Sequence, residues 1–340
     1  MARGGDDDGD AVTKDNALVG PLAEVLLPSL GPLTVSGVER LKGGYSRRMW
    51  AFDTVNAAGE PAAWVLCSDA ADGVVGPDSL SRGREALLLG HVHAAGLPVP
   101  AIAAAGEGPE PFGADWFVMQ RLGGTAAVGP LVRDPEIAAM RHSLGRQKAA
   151  ILARVHRVPV PRNAFGPLPA PAEVAGQETQ RWANALAQTP SADNDTMRSA
   201  VAHLLSTSPA SPAAVCIVHG DYRTGNLLYD RRGILGVLDW EMAHPGDPLE
   251  DVAWAQLASW RVGTGLVGAL LSDEDWIAAY AEASAQPVDR DALRFWQVLT
   301  GVKMSLLAWR AVQRTPPGKE HDLLRALFTQ LQDQLRANLR

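Results

Sequence analysis

The stretch 216-CIVHGDYRTGNLLYD-230 decides how this chain is read. One apolar run, Cys216 to Val218, leads into it, and another, Leu227 to Tyr229, leaves it. Between them stand His219, Asp221, Tyr222, Arg223, Thr224 and Asn226, with Gly220 and Gly225. A polar turn between two strands accounts for the glycines and for Asn226. It does not require Asp221 and Asn226 five residues apart, with Asp239 thirteen residues further on, at the end of 233-GILGVLDW-240. If 227–229 and 234–238 pair across the turn 230-DRRG-233, Asn226 and Asp239 come to the same open end of a hairpin. Two oxygen ligands, without cysteine or clustered histidine, suit a hard cation such as Mg²⁺. That ion takes one or two protein carboxylates and completes its shell with water and substrate phosphates. Asp221 would lie beside it, able to accept a proton from an attacking hydroxyl.

Outward from this block the chain changes character at about residue 123. Before it come the strand-like segments 40-RLKGGYSRRMWAFDT-54, 63-AWVLCSD-69 and 115-DWFVMQRL-122, with one helix in 79-SLSRGREALLLGHVHAAGL-97. Residues 98–114 have the chemistry of a turn-rich linker. After it the spacing is helical. Asp134-Pro135 reads as an N-cap and first helical residue of a helix running to about Val158. Ser272 and Asp275 resemble a capping box, and two amphipathic segments close the chain. Only 215 to 240 interrupts this half with strands. The expected organisation is a disordered tail over 1–16, a sheet lobe over 17–122 and a helical lobe over 123–340, an α+β class.

The block resembles the catalytic and metal loops of the aminoglycoside phosphotransferase-like (choline kinase-type) branch of the protein-kinase-like superfamily. HGD-x₄-N, followed by D-W-E, stands where protein kinases carry HRD-x₄-N and DFG. The resemblance covers most of the chain and implies a two-lobed kinase-like fold and a small-molecule O-phosphotransferase using ATP and Mg²⁺. It makes Asp221 the base that orients the acceptor hydroxyl, and Asn226 and Asp239 the metal ligands. It lays Gly43, Gly44 and Ser46 over the phosphates, sets adenine against the backbone near Gln120 and Leu122, and makes Glu85 the helix glutamate. His219, Arg223 and Asp247 take supporting roles. His219 reads as a structural ring bonding the loop backbone. Asp247 reads first as the N-cap ahead of Pro248, and the family also uses this aspartate to brace the catalytic loop.

One position departs from the family. Its third strand carries Lys or Arg to contact the phosphates and pair with the helix glutamate; here 64-WVLCSD-69 puts Cys67 there. Three readings stay open: Lys42, Arg82 or Arg84 substitutes; the register differs; or the protein is a catalytically impaired pseudokinase acting through partners. A metal-dependent phosphohydrolase would need a denser ligand set for two metals than any one block offers. Glu85 could equally be a solvated helix charge. His156 reads as a packed helix histidine. Trp254, Trp260, Trp276, Trp296 and Trp309 read as core, with an aromatic floor for the acceptor as the alternative.

Composition bounds the rest. Of the 340 residues 46% are hydrophobic and 20% charged, and the formal net charge of −7 argues against a nucleic-acid footprint. Two cysteines in apolar runs point to a reducing cytoplasm rather than a disulfide scaffold. The acidic start lacks the apolar core of a signal peptide, and no apolar run suggests a membrane span. The expected partners are ATP and a hydroxylated small molecule.

Overall fold

The computed structural model describes residues 15–41, 47–69, 79–189, 194–207 and 209–340. The chain divides into two compact units, residues 1–90 with 100–122, and residues 91–99 with 123–340. Among the described residues the first unit holds a five-stranded antiparallel sheet, and the second is mainly helical with two two-stranded sheets. This is the α+β class the sequence implies. Lys42, Gly43, Gly44, Ser46 and residues 1–14 of the expected tail lie outside the described residues. Asp15 is already part of the fold, its N–H donating to Val38 O at 3.1 Å.

The large sheet comprises β1 (Leu33–Arg40), β2 (Arg47–Asn56), β3 (Pro61–Asp69), β4 (Ile102–Gly106) and β5 (Trp116–Gln120), in spatial order β1-β2-β3-β5-β4. At the β2–β3 turn Asn56 Oδ1 accepts from both Ala58 N and Glu60 N at 3.0 Å. The ladder sets Arg47 opposite Asp69, Met49 opposite Cys67 and Trp50 opposite Leu66. Because strand side chains alternate, Trp50, Phe52, Leu66, Trp116 and Val118 share one face, and Arg47, Met49, Cys67 and Asp69 the other. The first face clusters with Leu22 and Leu26 of α1 (Val19–Leu30), both fully buried. Each of those leucines contributes roughly 1.5–3 kcal/mol by leaving water.

The sequence reading anticipated one helix here and found only α2 (Arg82–Ala94). Gly20, Pro21 and Pro28 hide α1. Pro21 is tolerated because first-turn N–H groups have no helical acceptor. The linker reading of 98–114 also needs correction, since β4 lies inside it. Its alanines carry little strand propensity, and pairing with β5 supplies what propensity does not.

The second unit continues with α3 (Gly129–Arg133), α4 (Pro135–Ala138), α5 (Arg141–Val155), α6 (Arg162–Phe165), α7 (Val174–Ala187) and α8 (Asp195–Ser206). It closes with α9 (Pro248–Ala255), α10 (Asp273–Ser284), α11 (Arg290–Arg314) and α12 (Lys319–Asn338). The single helix expected from Asp134 to about Val158 is two. Asp134 caps α4 through Glu136 N and Ile137 N, but Met140 N turns back to Ile137 O at 3.0 Å, a tight i→i+3 bond that ends the first piece. Ser272 caps α10, accepting from Asp275 N at 3.1 Å and donating to Asp275 Oδ2 at 2.7 Å. Strands β6 (Cys216–Val218), β7 (Leu227–Asp230) and β8 (Gly233–Val237) fall where the sequence puts them. The statement that strands stop at 240 is overturned by β9 (His244–Gly246), which pairs antiparallel with β6. Three residues with a central proline carry no strand signal of their own; β6 imposes it.

Candidate active site

The loop of residues 219–226 runs from β6 to β7, and the hairpin closes it. Leu227 pairs with Val237, and Leu238 N donates to Asn226 O at 2.8 Å. Asn226 is thereby set beside the segment that ends in Asp239. The Asn226 amide nitrogen donates to Asp221 Oδ2 at 2.7 Å and to Asp221 O at 3.0 Å. With both amide protons aimed at Asp221, Asn226 Oδ1 is the atom of that side chain that could serve a metal. Asp239 holds a left-handed backbone, φ 68°. Trp240 behind it is fully buried and lies against the His219 ring, centroids 4.7 Å apart.

Both carboxylate oxygens of Asp221 are held. Oδ2 also accepts from Arg223 Nε at 3.1 Å, and Oδ1 accepts from the indole N–H of Trp254 at 2.9 Å. Three donors fix the plane of the carboxylate while its side chain stays 14% exposed, open to a reactant. Arg223 is steadied in turn by lying 5.1 Å over the Trp260 ring. Trp254 is the Asp221 partner that the sequence does not reveal. It was read as core or floor, and it is core, 2% exposed, with its one polar atom on the acid.

The loop hangs from a buried carboxylate. His219 N and Gly220 N donate to Asp251 Oδ2 and Oδ1 at 2.7 and 3.0 Å. The bracing role anticipated for Asp247 thus falls to Asp251, one helical turn on. Asp247 caps α9 through Leu249 N at 2.8 Å. Asp251 is itself tied to His156 Nε2 at 3.2 Å, and His156 Nδ1 to the Tyr280 hydroxyl at 2.7 Å. Burial alone would raise the pKa of Asp251. The His156 hydrogen bond and charge, with the loop amides, hold it below the ordinary carboxylate value. Gly220 has φ 81°, and a Cβ there would sit 2.4 Å from Met242 O, so only glycine fits. His219 is structural: Asp221 N donates to its Nδ1 at 3.2 Å, which leaves the ring proton on Nε2 to meet Leu238 O at 3.0 Å. Burial lowers its pKa, in keeping with a neutral ring.

Two buried lysines support the loop. Lys148 Nζ lies 3.4 Å from Thr224 Oγ1 and 5.6 and 5.2 Å over the rings of Tyr222 and Trp276. Burial, helped by Arg223, brings its pKa down to about 7 against the pull of Asp221 and Asp251. Lys303 lies 5.1 Å over Trp254 and pairs with Glu250 at 3.1 Å, and Glu250 pairs with His244 at 3.0 Å. Glu178, His244 and Glu250 could supply three metal ligands, but the charge of Glu250 is already met by the ammonium and the imidazole.

In the first unit Glu85 is buried rather than solvated, its side chain 2% exposed. Arg82 pairs with it from one turn earlier in α2 and reaches Asp69 at 2.9 Å. Arg47, which the sequence reading did not consider, reaches it from β2 at 3.3 Å. Of the substitutes expected for the missing cation, Arg82 is beside Glu85, Arg84 lies on the exposed face of α2, and Lys42 is outside the described residues. Cys67 is fully buried among these charges, and burial pushes its thiol up to about 12. Gln120 ends β5 with its N–H committed to Ala101 O at 2.8 Å, and Arg121 N binds Ala63 O at 2.9 Å. Leu122 is the first residue past that ladder.

Residues 37–296 match the sequence model of the phosphotransferase enzyme family. Among solved structures the chain is similar to a Ralstonia eutropha protein provisionally identified as an aminoglycoside phosphotransferase, with TM-score 0.68 and 19% identity over 94% of this chain and 98% of that one. It is also similar to a thermostable mutant of aminoglycoside phosphotransferase APH(4)-Ia in ternary complex with ADP and hygromycin B, with TM-score 0.61 and 18% identity over 94% and 98% of the two chains. At these identities the likeness is one of fold, the kinase-like α+β architecture. Two curated relatives are acyl-CoA dehydrogenase family member 10 of Mus musculus, 24% identical over 55% of this chain, and member 11 of Gallus gallus, 25% identical over 56%. The matched regions span 17% and 25% of those relatives' lengths.

Proposed function

The chain belongs to the phosphotransferase enzyme family, and from that premise we propose that it moves the γ-phosphoryl group of ATP to a hydroxyl of a small molecule, with Mg²⁺ as the metal. Asp221 carries the reading. An acid held at both oxygens by Trp254, Asn226 and Arg223, yet open on one side, is arranged to orient a hydroxyl and accept its proton. Catalysis of this kind is mostly positioning and charge stabilisation.

The oxygens of Asn226 and Asp239 fit a hard cation, since the hairpin sets their segments side by side and no softer donor stands among them. When bound there, Mg²⁺ would neutralise phosphate charge. The chain's own contribution is the aim: Asn226 spends its N–H₂ on Asp221, which leaves its oxygen for the metal, so base and metal ligand are fixed by one amide. The backbone past Arg121, near Leu122, is the place for adenine, and the acceptor is an aminoglycoside-like, amino-alcohol, sugar or other hydroxylated metabolite. Neighbouring structures that hold ADP or AMP-PNP with hygromycin B, or GDP on an aminoglycoside 2'-phosphotransferase-IIIa, support a nucleotide site and, in the first two, a polyol acceptor beside it. Two buried, unbridged thiols suit a cytoplasmic setting, and no described helix is long and apolar enough to cross a membrane.

Cys67 favours the inactive, partner-binding alternative. That support weakens because Glu85 keeps cationic partners in Arg47 and Arg82. The deciding experiment is Mg·ATP turnover against a panel of hydroxylated metabolites, wild type beside Asp221→Ala. The expected loss is on the order of 100-fold or more, by analogy with one oxyanion-hole donor. Equal rates would remove Asp221 from the role of base, and ATP binding without transfer to any acceptor or water would favour the inactive form.

A further inference from the structure

We propose that Arg47, from β2, supplies the phosphate-facing positive charge of the first unit in place of a cation on β3. The inference rests on the reading that the chain binds ATP. In kinase-type sites a lysine on the third strand both meets the phosphates and pairs with the helix glutamate. Here that position is a buried neutral thiol. The glutamate is not left alone for it.

Arg47 and Cys67 share a sheet face, because Met49 stands opposite Cys67 and Arg47 is two residues from Met49. From that face Arg47 Nη2 meets both Glu85 oxygens, at 3.3 and 3.4 Å. It stands in for the absent lysine by reaching over from the adjacent strand. Arg82 also pairs with Glu85, but its role is different. Its side chain is 1% exposed and spans Glu85 and Asp69, a buried tie between α2 and β3. Arg47 is 11% exposed, at the accessible edge of the cluster. A guanidinium has five N–H donors in a planar fork, so it can bind a carboxylate through one nitrogen and phosphate oxygens through others. Lysine would have to serve both partners from a single nitrogen at the end of a shorter reach. That makes arginine the suitable residue for a cation that must arrive from β2.

The test is the dissociation constant for ATP with Mg²⁺, measured calorimetrically beside that for adenosine. It uses the full chain as wild type, Arg47→Ala, Arg47→Lys and the double variant Arg47→Ala with Cys67→Lys. Thermal unfolding checks that each variant folds; Arg47→Gln, which keeps the length of the side chain, replaces the alanine if it does not. Arg47→Ala should weaken ATP binding ~10- to 100-fold, the range of a charge-assisted hydrogen bond, and leave adenosine binding within about twofold. Restoring a cation on β3 should recover at least tenfold of that loss. Unchanged ATP affinity in a folded Arg47→Ala, or equal losses for ATP and adenosine, would overturn the assignment while leaving the phosphotransferase reading intact. A wild type that binds no ATP would overturn both.

Discussion

Replacing Asp251 should loosen the 219–226 loop by an amount the structure allows one to work out. Its carboxylate is fully buried and accepts from two backbone amides, at 2.7 and 3.0 Å, and from His156 at 3.2 Å. Asp251→Ala orphans the His219 and Gly220 N–H groups in a dry site. Each orphan costs about 1–3 kcal/mol, so the two together cost roughly 2–6, a large share of the ~5–15 kcal/mol that holds a domain folded. Asp251→Asn keeps one acceptor and places an amide N–H₂ against the other donors, so it should fall between wild type and alanine. Urea unfolding gives the free-energy gap, and hydrogen exchange at His219 and Gly220 reports the loop directly. The sign with pH is fixed by the depressed folded pKa of Asp251. Its contribution is present above the unfolded carboxylate value and is lost as pH falls through the folded one, so the gap to alanine should narrow in acid. An alanine variant within about 0.5 kcal/mol of wild type, with protected loop amides, would refute the brace.

Two further outcomes follow from the same side of the second unit. Trp254→Phe keeps an aromatic face for Lys303 but deletes the N–H on Asp221 Oδ1; turnover should drop about tenfold, with the thermal midpoint changed far less than by Asp251→Ala. Steady-state kinetics and a melting curve check it, and unchanged turnover would remove Trp254 from the positioning of Asp221. For His244, burial lowers the pKa, but Glu250, with Glu178 adding and Lys303 opposing, carries it up to about 9. Its stabilisation is therefore complete below the unfolded histidine value and lost as pH rises through about 9, a swing of about 3 kcal/mol. Lys148, with its lowered pKa, titrates with the opposite sign, so the quantity to measure is the urea-unfolding difference between wild type and His244→Gln at each pH. A difference that stays constant from pH 6 to 10 would sink the ion-pair account.

What the sequence made legible is what local chemistry dictates. The hairpin of β7 and β8 could be read because two apolar runs flank a polar turn, and its pairing was enough to bring Asn226 to the segment ending in Asp239. The caps Asp134, Asp247 and Ser272 could be read because capping is a one-turn affair. Failures came wherever the deciding contact was remote. β9 exists only because β6 lies beside it, and β4 only because β5 does. Asp251 sits in the apolar run 249-LEDVAWAQL-257, where an acid with no local partner is a signal in hindsight. Its partners His219 and Gly220 are some thirty residues away. Arg47 is illegible for the same reason: it lies 38 residues from Glu85 in sequence, and only the sheet register brings it there from β2.

That register gives the turn at Asn56 a reach beyond its own geometry. The cation beside Glu85 belongs to β2, so the length of the 57–60 connection selects which neighbour faces α2. Arg47 points one way. Arg48 points the other, binding Asp69 O and Phe112 O at 3.3 and 3.2 Å and lying 5.7 Å from the Trp50 ring. Inserting or deleting one residue there would slip β2 against β3 and exchange the two faces. Arg48 and Trp50 would be driven toward Glu85 and Cys67, and the α1 core would receive Arg47 and Met49. A cation borne on β3 would keep its face through such a slip, because the register of β3 against β5 does not depend on that turn. Moving it to β2 makes an exposed hairpin turn, ten residues along from the charge, a determinant of which side chain stands beside Glu85.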